Sequence, residues 1–331
     1  MLSSRPMAYP PSRRGRKLLL GLALAGAAVG VPAAVAAWRR RLVDPPQPLR
    51  WGRARRYASR SGEIVFQEIG GAPGGTDLVL LHSFGPGHDA DQWRAAAEIL
   101  APRYSLYAPD LPGWGRSAWP AGGYRPEAYV DALADFLEGV VREPAVVVAA
   151  GLPAAYAVEV AVSYPQRVRA LALVSPLGID DGGGAAPAPV RKLLSLPVVR
   201  DSALDLLTRR SALEHHLRRE VYAAPERVDA ALVDRHYRVS HRPQGRAAAG
   251  ALYRGDLAID VTGLLEDLDV PVWLAWGRSS AVPAVENADL WLRHLPDAEI
   301  EVFEGSGALP HAEAPAAFCR ALGRFLDRLP S

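Results

Sequence analysis

One cysteine, Cys319, stands in 331 residues. An intrachain disulfide needs two, so none forms, and thiolate zinc or iron–sulfur centres are excluded. Lysine is nearly as scarce: only Lys17 and Lys192 occur, and arginine carries almost all the positive charge. The eight histidines show no zincin spacing. Glu214, His215, His216 and Glu220 include an i,i+4 His/Glu pair, read as a solvated helix face rather than a metal site. No Walker loop and no G-x-G-x-x-G after a strand is present, so no nucleotide site and no cofactor is expected. A large excess of either charge is also missing, the formal net charge being +2.

That sum hides a division. Residues 1–60 carry 13 Lys and Arg against Asp44 alone, whereas the remainder carries 25 bases against 35 acids. The body is acidic and the bases crowd around one apolar run, an arrangement that argues against nucleic acid as a partner. Apolar residues make up 49% and charged residues 22%, the composition of a globular chain. The length suits one large α/β domain or two smaller ones.

Leu18 to Trp38 is a run of 21 residues without a charge. As a helix it is about 31 Å long, enough to span a bilayer core. Arg13, Arg14, Arg16 and Lys17 precede it, and Arg39, Arg40 and Arg41 follow. The expectation is a basic segment at 1–17 and a single-pass anchor at 18–38 in the cell (inner) membrane. An Arg/Pro-rich linker follows at 39–56. The arginine balance leans towards a body on the cytoplasmic side. The rival is a cleaved signal peptide with a small-x-small site at Ala34-Val35-Ala36, which would export the body.

From residue 57 onward, apolar β runs alternate with helical patterns. Asp77–Leu81, Tyr104–Pro109, Ala145–Ala150, Arg169–Ser175 and Val270–Trp276 read as strands, and Glu63–Glu68 as a half-exposed one. Helical patterns fall at 89–100, 127–141, 154–163, 284–295 and 312–329. This alternation implies an α/β fold with a mostly parallel sheet flanked by helices. The core is expected at 57–179 and 270–331. A helical cap at 180–269 would lie over the carboxyl edge of the strands.

Four separated segments carry a family resemblance. Leu80-Leu81-His82-Ser83-Phe84-Gly85 resembles the loop that supplies part of the oxyanion hole in α/β-hydrolases. Asp110-Leu111-Pro112-Gly113-Trp114-Gly115-Arg116-Ser117 resembles their D-x-P-G-x-G-x-S turn. Tyr164-Pro165-Gln166-Arg167-Val168 resembles the end of the helix after the nucleophile. Gly305 to Pro315 resembles the segment around the catalytic histidine.

The resemblance implies a Ser-His-Asp triad, and this chain departs from it at each place. The nucleophile in G-x-S-x-G sits on a tight strand-to-helix turn, and that position here is Gly151. No Ser, Cys, Thr or Asp occurs from Glu143 to Val162. The acid's position is Ser280, with Asp180 or Asp181 as a fallback after the preceding strand. The histidine's position is Ala308, and His311 lies three residues further on. Ser83 replaces the glycine usual after His82. The old pocket is expected to keep His82, Ser83, Phe84, His88, Trp114, Leu152 and His311. Ser163 and Ser175 fall on a helix and a strand end with no base beside them. Cys319 falls on a core position of the last helix, as an inert thiol.

The sequence therefore suggests a membrane-anchored, non-catalytic relative of the serine hydrolases. It would bind an apolar small molecule or a protein partner. The alternative is a hydrolase or lyase acting on a small ester-like or other apolar substrate through a non-standard or misplaced catalytic set.

Overall fold

The structure is a computed structural model that describes residues 43–71, 75–179 and 182–330. The basic segment, the expected anchor at 18–38, Asp180 and Asp181 lie outside the described residues. No helix among those described is long and apolar enough to cross a membrane.

Among the described residues, eight strands form one sheet: β1 (Arg53–Ser59), β2 (Gly62–Ile69), β3 (Asp77–Leu81), β4 (Ser105–Pro109), β5 (Ala145–Ala150), β6 (Val168–Val174), β7 (Val272–Gly277) and β8 (Glu299–Phe303). Their order is β1-β2-β4-β3-β5-β6-β7-β8. The first two pairings, β1 with β2 and β2 with β4, are antiparallel, and the rest are parallel. β1 occupies the end of the segment read from sequence as linker. Its residues are mostly exposed and lack an apolar face, so only pairing with β2 identifies them as a strand.

The central strands are continuous apolar runs because helices cover both of their faces. Successive side chains point to opposite faces. Ala145, Val147 and Ala149 of β5 thus join one core, and Val146, Val148 and Ala150 join the other. The second core packs against α1 (Arg94–Leu100), and the first against α2 (Pro126–Phe136) and α3 (Pro153–Ser163). Five helices, α4 (Ala188–Leu194), α5 (Pro197–Leu207), α6 (Arg210–His216), α7 (Ala230–Ser240) and α8 (Pro243–Arg254), fill the interval between β6 and β7 and form the cap. α9 (Ala288–His294) adds Trp291 to the first core.

The last helical stretch, expected as one helix, is two: α10 (Pro310–Glu313) and α11 (Pro315–Leu326). Pro315 disfavours helical geometry at the residue before it, and Ala314 sits at φ −129°, ψ 54°. α11 packs Phe318, Leu322 and Phe325 into the second core. Cys319 is buried there, its Sγ 3.5 Å from the Ala96 carbonyl oxygen, and burial pushes its thiol up to about 12.

Candidate functional site

Three parallel strands end side by side beneath the cap, and their next residues are His82-Ser83, Gly151 and Ser175. A cavity of about 790 Å³ opens there. Ser83, Phe84, His88, Gly151, Leu152 and Ser175 line it from the core side, and Val190, Leu207 and Tyr253 from the cap.

Gly151 has φ +63°, a left-handed conformation that side-chain-bearing residues rarely adopt. Its N–H donates to the Val174 carbonyl and its carbonyl accepts from Leu177, so the turn is fixed against β6. A Cβ added at Gly151 would lie 3.2 Å from the Ser83 Cβ, so residue 151 faces the cavity at Ser83. Ala308 also lines the cavity, and its N–H donates to the Val221 carbonyl. Ser280 does not line it. Its hydroxyl donates to the Pro283 carbonyl at 2.8 Å in a buried turn. The two triad-equivalent positions that reach the cavity therefore offer it only hydrogen or methyl.

His82 is fully buried and holds the loop together. Its Nε2 accepts the Leu111 N–H at 3.1 Å, which leaves the proton on Nδ1, 2.9 Å from the Ser83 carbonyl oxygen. Burial lowers its pKa and keeps it neutral. The Asp110–Ser117 turn supports that arrangement. Asp110 accepts from the N–H groups of Ala90 and Arg116, and the Arg116 guanidinium bridges Asp110 and Asp89. Gly115 is required there: at φ +49° its added Cβ would lie 2.1 Å from the Asp110 carboxyl carbon. Trp114 is buried under the cavity rather than lining it. It stacks on Phe84 with ring centroids 4.4 Å apart and donates Nε1–H to the Tyr129 hydroxyl.

His311 departs furthest from the expected placement. Its ring stacks on Trp93 at 3.8 Å in the second core, and neither nitrogen has a hydrogen-bond partner. Burial lowers it to about 3. It is a packing ring and does not reach the cavity.

Polar groups of core and cap line part of the cavity, Arg209, Ser211 and His215 among them. The Ser83 hydroxyl lies 2.9 Å from His88 Nδ1 and 3.1 Å from Gln92 Oε1. Burial, with His236 and His216 nearby, holds His88 well below its ordinary pKa. Of the face read from sequence as solvated, Glu214, His215 and Glu220 are exposed, while His216 is half-buried, borders the cavity and pairs with Glu220 at 2.7 Å. Ser175 was not recognisable as a site residue, yet it lines the cavity with its hydroxyl unpartnered. Among the described residues no group of three or more His, Cys, Asp or Glu could hold a metal ion.

This scaffold is that of a known family. Residues 78–321 match the alpha/beta hydrolase family, and the chain belongs to it. It is 31% identical over 257 residues to the pimeloyl-[acyl-carrier protein] methyl ester esterase of Chromobacterium violaceum, covering 76% of this chain and 95% of that one. It is 28% identical over 273 residues to an uncharacterized protein of Mycobacterium tuberculosis, covering 77% and 76%. Among solved structures, 2-hydroxy-6-oxo-6-phenylhexa-2,4-dienoate hydrolase from Rhodococcus superposes with a TM-score of 0.70 at 22% identity, covering 83% of this chain and 98% of that one. A membrane phospholipase A superposes at 0.67 with 23% identity, covering 95% and 99%. At those identities the structures speak for the fold alone.

Proposed function

We propose that this protein binds an apolar small molecule in the cavity under its cap and does not hydrolyse esters through a serine triad. Residues 18–38 would tether it to the membrane. The observation that carries the reading is Gly151. It keeps the left-handed turn on which a nucleophile would stand and presents no atom that can attack. Loss of triad members costs several orders of magnitude in rate and leaves only weak catalysis from binding. The cavity itself supports a ligand, since Leu, Val, Ala and aromatic side chains make up about half of its lining and polar groups, among them His88, Ser175, Arg209 and His216, the other part of its walls.

One observation favours a second reading. Ser83 and His88 form a hydroxyl–imidazole pair at 2.9 Å beside the vacated position. The burial that keeps His88 neutral also makes it a weak base. A methyl ester of the kind named for the Chromobacterium relative is the first substrate to offer it.

A fluorophosphonate probe separates the two. The native protein is expected to remain unlabelled, and labelling is expected to appear after combined Gly151→Ser, Ser280→Asp and Ala308→His substitution. Labelling of the native chain at Ser83, located by peptide mass spectrometry, would replace the binding reading with the second.

A further inference from the structure

Another cavity, of about 870 Å³, shares no lining residue with the one under the cap. Residues of α5, α7 and α8 form its cap side, Trp119 and Tyr124 its core side, and Val43, Asp44 and Pro45 a third wall. Val43 stands five residues beyond Trp38, at most about 18 Å of extended chain from the end of the apolar run. A tether at 18–38 therefore keeps this groove within that reach of the bilayer. Trp119 is 49% exposed and meets Tyr124 edge to face, with ring centroids 5.9 Å apart. Tryptophan and tyrosine are the residues favoured at a membrane–water boundary.

The groove is rich in arginine, and the carboxylates are unevenly shared. Arg238 meets Asp234 and Asp44, Arg246 meets Asp205 and, at 3.7 Å, Asp201, and Arg254 meets Asp256. Arg200, its side chain 46% exposed, comes only within 3.9 Å of Asp201. Arg242 is half-buried and has no carboxylate partner among the described residues. Its guanidinium spends one donor on the Gly115 carbonyl, of the roughly five it carries. Burial lowers its pKa, and Asp110 and Arg116 act on it in opposite senses. A cation half out of water without a counter-charge is costly, and an anion in the groove relieves that cost. The contact of α5 with α8 brings Arg200 to the same place. Arg246, one turn of about 5.4 Å after Arg242 on the same helix face, meets Asp201, the neighbour of Arg200.

We propose that this groove binds the phosphate of an anionic phospholipid headgroup, held by Arg242 from within and Arg200 from the rim, with Trp119 at the lipid–water boundary. The inference rests on the tether reading above and adds to it a lipid class and a place on the body. A guanidinium suits phosphate because its planar fork donates two parallel hydrogen bonds. One headgroup is a weak contact, and it acts where the tail keeps the groove beside lipid at high local concentration. No covalent step is involved.

The test uses the full chain in nanodiscs containing phosphatidylglycerol with a diazirine on its glycerol headgroup. Photolabelling, located by peptide mass spectrometry, is expected at Trp119 and in α5. Unlabelled phosphatidylglycerol should suppress it about fivefold more than an equal share of phosphatidylcholine, the worth of one arginine at an anionic surface. Arg242→Gln and Arg200→Gln should each lower labelling about fivefold, and Arg242→Lys should restore most of it. Arg242 also ties the cap to the Gly115 carbonyl, whereas the exposed Arg200 has no close partner, so Arg200→Gln reads the charge with Tm changed by less than about 1 °C. Labelling indifferent to both glutamine variants, or equal suppression by phosphatidylcholine, overturns the groove while the chain remains in the disc. Suppression by soluble glycerol phosphate at the same concentration as by the lipid overturns the lipid assignment in favour of a free phosphate compound. A full chain that does not enter the discs overturns the tether reading and the lipid assignment with it.

Discussion

A histidine in an apolar core is a measurable liability, and His311 is the clearest one here. Its two unpartnered nitrogens lie against Trp93 and Phe318, and burial holds its pKa at about 3. The folded value lies below the ordinary histidine value of about 6.5, so the fold favours the neutral ring. Its contribution is therefore complete above pH 6.5 and is lost as pH falls towards 3. At pH 5 the cost is about 2 kcal/mol, from about 1.4 kcal/mol per unit of pH below the unfolded pKa. His82, His88 and His236 are shifted in the same direction and steepen the acid limb. His311→Phe keeps the stack on Trp93 and removes the titration. Urea unfolding should show the variant at least as stable as the parent at pH 7 and about 2 kcal/mol more stable at pH 5. An unchanged acid limb would mean that His311 finds a proton partner in solution.

At the scale of elements, one carboxylate ties the Val221–Ala224 edge of the cap to the core. Glu313 of α10 accepts the Gly307 N–H at 2.6 Å on one oxygen, and those of Ala223 and Ala224 at 2.8 and 3.3 Å on the other. Burial raises its pKa, while those three donors act in the opposite direction. Ala308 is held in the same seam by its bond to Val221, so the geometry of the cavity wall depends on this junction. Glu313→Ala orphans one buried and two half-buried donors and should cost roughly 3 kcal/mol. It should also loosen the backbone around Arg218, Arg219 and Arg227 in the adjoining cap segment and so speed its cleavage by trypsin. Glu313→Gln retains one acceptor oxygen and should lose about half as much. Equal trypsin resistance of parent and Ala variant would show that the cap is held by its other contacts instead, among them Arg235 with Asp91 and Tyr124 with the Gln244 carbonyl.

This junction also shows where sequence reading stops. The strands β3, β5 and β7 were visible because burial on both faces imposes continuous apolar runs. The Asp110–Ser117 turn was visible because each of its residues answers a local demand, from the Gly115 φ to the Asp110 carboxylate that caps two N–H groups. The empty elbow at Gly151 was visible because it sits between those landmarks. The exposure of Glu214, His215 and Glu220 is legible, but the place of His216 on the cavity border is not. Nothing local distinguishes a helix face turned to solvent from one turned over a distant strand end, and the docking of the cap decides it. Ser175 is legible only as a strand-end residue with no base beside it, and its place on the cavity comes from the packing of β6 between β7 and the Gly151 turn. β1 was missed because its partner supplies the burial that its own exposed arginines lack.

For the whole molecule, charge separates tail from body. Residues 1–42 hold eight of the 38 bases and none of the 36 acids, leaving the rest at 30 bases against 36 acids. An acidic body is repelled by an anionic bilayer, whereas bases flanking an apolar run are attracted to it by about 1 kcal/mol each near the surface. The cap offers the body another route to a membrane, through the exposed Leu193, Leu196 and Leu206 with Arg191, Lys192, Arg200, Arg209 and Arg210 against Asp201 and Asp205 around them, and three leucines are a weaker anchor than a 21-residue apolar run. The full chain should therefore float with phosphatidylserine-containing vesicles and stay with them in high salt, because insertion of 18–38 is apolar and salt screens only the arginines. A chain beginning at residue 43 should remain unbound at low and high salt alike. If it floats at low salt as well as the full chain does, the cap is the membrane contact and the tail is not needed for it. Recovery from cells of a soluble chain starting just beyond Ala36 would instead identify 18–36 as a cleaved signal. The cavity would then meet its ligand in an exported protein rather than beside the bilayer.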